Sequence, residues 1–169
     1  MIPAHHSHRS EWSQDARLDR TDGHRNSPAR LDGVPAEQST PVDVAASVQA
    51  RRAEFHQSLG GADVFPTLVA GGRLRAHDAE VLAVLAAVEL SPQLQRLVGY
   101  IQDNVNAPRL WLATLDRLFA QSESSALDAL ALDAPLRRAE LVQIDESGPW
   151  ATRVASVAES VAWLLAGTP

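Results

Sequence analysis

The chain has 169 residues, 45% of them hydrophobic and 21% charged, with a formal net charge of −6 and a sequence pI near 5.4. That length accommodates one domain with an appended segment, and the acidic balance does not point to nucleic acid as the default partner. All fifteen basic residues are arginine and there is no cysteine, which excludes a Walker lysine, lysine Schiff-base chemistry, disulfides, thiolate metal sites and cysteine nucleophiles.

Residues 1–41 are polar, mixed in charge and punctuated by Pro3, Gly23, Pro28, Gly33, Pro35 and Pro41. Their isolated apolar side chains offset little chain entropy, so a disordered tail is expected there, ahead of one folded domain over 42–169. His5, His6 and His8 read as a solvated terminus, and Trp12 falls in the same tail. From Val42 a polar helix places Val44, Val48, Phe55 and Leu59 near one face and stops at Gly60 and Gly61. A shorter segment over 63–69 carries Pro66 in its first turn and ends at Gly71 and Gly72.

The strongest helix follows. Asp78 and Glu80 fall in its first turn, where carboxylates favour the positive end of the helix dipole, and Val81, Leu82, Leu85 and Val88 form the stripe to be buried. Ser91 and Pro92 give a hydroxyl cap and a first-turn proline for the next helix. Leu94, Leu97, Val98, Ile101 and Val105 recur there at spacings of three and four.

Pro108 is expected to open another helix, with Leu112, Leu115, Leu118 and Phe119 on its apolar side. Residues 122–125 break the chain and cap a short helix through Leu127 and Leu130, and Pro135 starts one or two further turns. The period then changes. Leu141, Val142 and Ile144 form a β-like run, 146–149 a turn cluster, and Trp150, Thr152 and Val154 alternate after it. A last helix carries Val157, Val161, Leu164 and Leu165 and stops at Gly167, with Trp163 expected to be partly in the core.

The expected fold is therefore mainly α: a helical bundle with a C-terminal β-hairpin, winged-helix-like in layout. On that reading the helix after Pro108 takes the recognition position and 145–149 form the wing tip.

Catalytic groupings are sparse. His77, Asp78 and Glu80 make the one compact polar trio, but positions two apart on a helix diverge, so only His77 and Glu80 can meet. Capping and dipole complementarity account for them. Asp103 lacks the alternating oxygen ligands of a calcium loop, and Ser122, Ser124 and Ser125 have no neighbouring histidine or nucleophile elbow. Neither an enzyme, nor a cofactor, nor a metal is expected. No stretch of about 18 apolar residues suggests a membrane span, and the N-terminus lacks a signal's apolar core, so a soluble cytoplasmic protein is expected.

Arginine is the more informative residue. Arg109, Arg117, Arg137, Arg138 and Arg153 surround the hairpin in sequence and would neutralise phosphates if they clustered. Acids are interleaved with them, and from Pro41 onward there are ten arginines against fifteen acids. Solvation or protein contact is the favoured reading, with DNA binding as the alternative. Trp111 and Trp150 join these arginines as a candidate partner surface, because exposed aromatics enrich protein interfaces.

The order "LRAHDAEVLAVLAAVELSPQLQRLVGYIQDNV", "LATLDRLF", "DAPLRRAELVQI", "VASVAESVAWLLAG", over 74–167, resembles the N-terminal winged-helix-like region of a group of bacterial AAA-family ATPases. The shared marks are the Asp/Glu-led helix ending in "EL", the "YIQD" end of the next helix and the "APLRR" lead into the hairpin. The family often has several basic residues after "QD", where this chain has Asn106, Ala107 and Pro108, leaving only Arg109. The resemblance implies an accessory role beside an ATPase module that would follow Pro169, with that module or its protein substrate as partner. It implies no ATPase activity in this chain.

Overall fold

The structure, a computed structural model, describes residues 41–167. The expected tail lies outside the described residues, with His5, His6, His8 and Trp12, except for Pro41, which opens the first helix.

The helices run α1 (Pro41–Ser58), α2 (Val64–Gly71), α3 (Ala76–Leu90), α4 (Pro92–Ile101), α5 (Leu112–Leu118), α6 (Ala126–Ala129) and α7 (Pro135–Arg138). Strand β1 (Val142–Ile144), a 3₁₀ turn (Trp150–Thr152), strand β2 (Ala155–Val157) and α8 (Glu159–Leu165) complete the chain. Helix α3 is the axis: Val81, Leu82, Leu85, Ala86 and Val88 are all buried, and it packs against α4, α6, α7, α8 and β2. Leu110, Leu115 and Leu136 close the core around it.

The strands are antiparallel, pairing Val142 with Val157, Gln143 with Ser156 and Ile144 with Ala155. The hairpin does not stand alone. Trp111 bridges Val154, Ala155 N–H donates to the Leu110 carbonyl at 3.0 Å, and Leu112 N–H donates to the Arg153 carbonyl at 2.9 Å. Leu110 and Trp111 thus add a third edge, with β2 in the middle. A three-stranded sheet backed by a helix buries an apolar face that an isolated hairpin cannot.

Several expectations are corrected here. Pro108 does not open a helix: the chain stays extended through Trp111 and α5 begins at Leu112, because the peptide groups in between are bonded to Gln102 and to β2. The two short helices expected between α5 and the hairpin are present, α6 and α7, four residues each. Trp150 and Thr152 do not alternate in a strand. Pro149 fixes the backbone ahead of them, and a 3₁₀ turn forms with Thr152 N–H on the Pro149 carbonyl at 3.1 Å. Val157 consequently sits in β2, not on the last helix.

The stripe expected on α4 is mostly outside. Val98 is buried and Leu94 half-buried, whereas Leu97, Ile101 and Val105 are exposed. Helix α4 leaves α3 at 106° and turns its Val98, Gly99 and Gln102 side inward instead. Ser91 does cap it, accepting from Leu94 N–H at 3.3 Å. On α8 Val161 faces the core, and Trp163, two positions and about 200° further round, is exposed.

Candidate interaction surface

Two polar clusters hold the outer elements in place. The first joins α1 to α3. Glu80 is buried, and its carboxylate accepts from Arg52 through Nε at 3.0 Å and Nη2 at 2.7 Å, with His56 Nε2 at 2.6 Å. His77 and Glu80, the one pair of the trio whose spacing lets them meet, do not. His77 Nε2 lies 3.0 Å from the Ser125 carbonyl, and its ring stands edge-on to Phe119. Glu80 is taken by the two nitrogen-bearing side chains of the neighbouring helix, a contact that spacing along α3 could not reveal.

Asp78, also buried, accepts from Arg75 backbone N–H and Nε at 3.0 Å each and from Nη2 at 3.0 Å. It thus ties down one of the free donors ahead of α3 as well as a guanidinium. Burial pushes both carboxyls up, but the hydrogen bonds and charge of Arg75 on Asp78, and of Arg52 and His56 on Glu80, outweigh it. Both rest below their ordinary values. A carboxylate so neutralised is a poor general base, and the Ser122 hydroxyl near it contacts Arg52 at 3.4 Å. The cluster positions a helix.

The second cluster is built on Gln102, which is buried at the end of α4. Its Nε2 donates to the carbonyls of Ala107 and Arg109, each at 3.1 Å, and its Oε1 accepts Trp111 N–H at 2.8 Å. One amide therefore satisfies three backbone groups that would otherwise be stranded beneath the 103–111 loop. Asp103, at φ 51°, turns the chain out of α4, and Asn104 N–H closes on the Gly99 carbonyl at 2.9 Å. A side chain at Gly99 would press on the Val105 backbone at 3.2 Å, which explains a glycine inside that helix.

Around this frame the candidate surface residues are dispersed. Arg109 forks onto Glu89, with Nε–Oε2 at 3.1 Å and Nη2–Oε1 at 2.7 Å, and shares a cleft of about 640 Å³ with Gln95, Gln143 and Asp145. Trp111 is half-buried between Gln102 and β2. Trp150 is 52% exposed on the 3₁₀ turn, which packs on α5. Arg153 is half-buried, with an Nε that has no hydrogen-bond partner among the described residues. Arg117 ends α5, and Arg137 and Arg138 end α7. Among the described residues none of these three is in an ion pair with an acid. At the wing tip Asp145 accepts Ser147 N–H at 2.9 Å, and Gly148 turns at φ 74°. That hydrogen bond, with Arg153 nearby, holds the Asp145 carboxyl below its usual range.

A family model described as a winged helix domain, variant, matches residues 3–167. The chain belongs to that family. No curated protein and no solved structure matches it. In winged-helix terms, the third edge at Leu110 and Trp111, β1 and β2 form the sheet, and 145–154 form the wing. Sequence reading missed Arg52, His56 and Gln102. The first two lie on a helix with little apolar signal, and the third is a lone glutamine whose role appears only when the chain folds back on it. Among the described residues there is no group of three His, Asp or Glu placed to hold a metal, and no single helix is long and apolar enough to cross a membrane.

Proposed function

We propose that this winged-helix domain is a non-enzymatic accessory domain that makes protein–protein contacts for an AAA-family ATPase module. The observation that carries the choice is the state of its charges. Arg109 is forked onto Glu89, Arg153 is half-buried, and the wing tip presents Asp145 and Glu146, both exposed. A wing that carries two acids repels a phosphate backbone instead of tracking it. Helix length argues the same way. A reading helix places several side chains along a groove, whereas α6 and α7 are four residues each and α5 is seven. The AAA partner rests on the resemblance of the 74–167 order to the region ahead of such ATPase modules, an argument from analogy at the level of the family.

The rival is a DNA-binding regulator, favoured by the exposure of Arg117 and Arg138. Titrating a fluorescent duplex with the protein at about 50 mM salt separates the two. The proposal expects no saturable binding. Binding that falls by roughly a thousandfold or more by about 200 mM salt replaces it with the rival. The AAA link has its own test in the coding sequence beyond Pro169 and in the adjacent genes. A G-x-x-x-x-G-K-[ST] motif after a strand-like run supports it, and its absence from all of these removes it.

A further inference from the structure

The sheet has a second face. Val142, Ala155 and Val157 are buried in the core, so the alternation of a strand turns Gln143, Asp145, Val154 and Ser156 the other way. Glu89 at the end of α3 and Arg109 of the 103–111 loop stand beside that outer face as an ion pair. Two clefts, of about 640 Å³ and about 510 Å³, meet at this pair and share Gln143 and Ser156 with it. The first reaches the wing and is lined there by Asp145, with Asn106 on its wall. The second reaches α8 and is lined there by Glu159 and Trp163. Trp163 is 57% exposed, and its Nε1 donates to Glu159 Oε1 at 3.3 Å. An indole held beside a carboxylate suits a cation, which the ring attracts through its quadrupole and the carboxylate through its charge.

Charge names the occupant. The joined clefts carry the carboxylates of Glu89, Asp145 and Glu159 against the guanidinium of Arg109, which is taken up by Glu89. Arg153 near Asp145 offsets part of that charge, yet the acids still outnumber the arginines by three to two. A phosphate backbone is repelled here, and so is a second copy of this chain, which brings the same acids and a net charge of −6. Length and hydrogen bonding name the rest. Asp145 N–H donates to the Val154 carbonyl, and Glu159 lies five residues beyond Val154, so the two ends are at most about 17 Å apart. An extended segment spans that in about five residues, and its first and fifth side chains point the same way. The exposed amides of Asn106 and Gln143 offer both donors and acceptors to its backbone.

We propose that the outer face of the sheet binds an extended basic segment of a protein partner, with one lysine or arginine on Asp145 and another, four residues along, on Glu159 and Trp163. The inference rests on the protein-contact reading above and adds the chemistry of the partner. It does not require that partner to be an ATPase.

The probe is a capped pentapeptide, Lys-Thr-Val-Thr-Lys, titrated to about 10 mM into the isotope-labelled full chain at about 25 mM salt and followed by NMR. The expected result is a saturable shift of the Trp163 indole N–H and of the Gln143 and Ser156 amides, with a dissociation constant between about 0.1 and about 5 mM. Glu159→Gln keeps an acceptor for Trp163 and removes the charge, so it should weaken binding about threefold or more. Glu123→Gln, at an exposed acid between α5 and α6, should leave it unchanged. The same peptide with glutamate for both lysines should shift nothing, and about 0.5 M salt should abolish the response to the basic one. No saturable shift up to about 10 mM overturns the proposal. So does a response indifferent to Glu159→Gln, or an equal response to the glutamate peptide. Shifts of the same signals on dilution of the protein alone assign the face to a second copy and overturn it as well. The duplex titration is independent of these outcomes. A silent peptide without duplex binding strikes this site and leaves the protein-contact reading standing, whereas saturable duplex binding strikes that reading itself.

Discussion

Asp78 and Glu80 are two positions apart on one helix and do different work. Asp78 closes the start of α3 through Arg75, whereas Glu80 anchors another helix. Each holds its proton less tightly than in the unfolded chain, because the folded pKa lies below the ordinary values of 3.8 and 4.5. As pH falls the unfolded state binds protons first. The stability these groups contribute is whole above their ordinary values and is lost as pH falls through the folded ones. The urea midpoint should therefore decline below about pH 4.5, and Glu80→Gln should start lower and decline less steeply. At neutral pH Glu80→Ala should cost about 2 kcal/mol in urea unfolding, since it leaves a half-buried guanidinium without its carboxylate. Amide exchange should then quicken most in α1 and in α3 by no more than the loss of global stability. The first-turn placement of Asp78 was legible in the sequence, whereas Glu80, expected there too, lies in the second turn. The partner of Glu80 was not legible, because a bond between α1 and α3 leaves no mark in the periodicity of either.

At the scale of elements, periodicity found the helices and misjudged where some begin and which side they bury. Helix α3 was legible because its stripe is broad and wholly enclosed. Helix α4 was legible as a helix through Ser91 and Pro92, but its stripe was assigned inward when the 106° turn from α3 presents the other side. The start of α5 was misplaced for a specific reason. Proline is as much at home in an extended segment as in a first helical turn, and what decides between them at Pro108 is the side chain of Gln102. Gln102→Leu is the test: it retains helix propensity and volume while removing the amide. It should lower stability by about 2–3 kcal/mol in urea unfolding, for three backbone groups that lose a buried partner. Amide exchange should rise first at Trp111 and Ala155, where the third edge meets β2. Gln102→Glu should not rescue, because a carboxylate offers no donor to the carbonyls of Ala107 and Arg109.

For the whole molecule, the class was legible from order alone: several helices, a hairpin, a closing helix. So were α6 and α7, from the break before Ser125 and from Pro135, but the third edge of the sheet was not, since it depends on contacts remote in sequence. The helices around α3 are joined by short connections and can dock as they form, but Leu110 reaches β2 only after α5, α6, α7 and β1 have been laid down between them. Closing that edge joins residues far apart in sequence, as do the contacts of β2 and α8 with α3, and such contacts form late in folding. Leu110→Ala, at a position 1% exposed, should destabilise by about 2–4 kcal/mol and do so almost wholly through a faster unfolding limb in a stopped-flow chevron, with little change in refolding. The sheet that gives the wing its footing would then also be the part of the domain that lets go first.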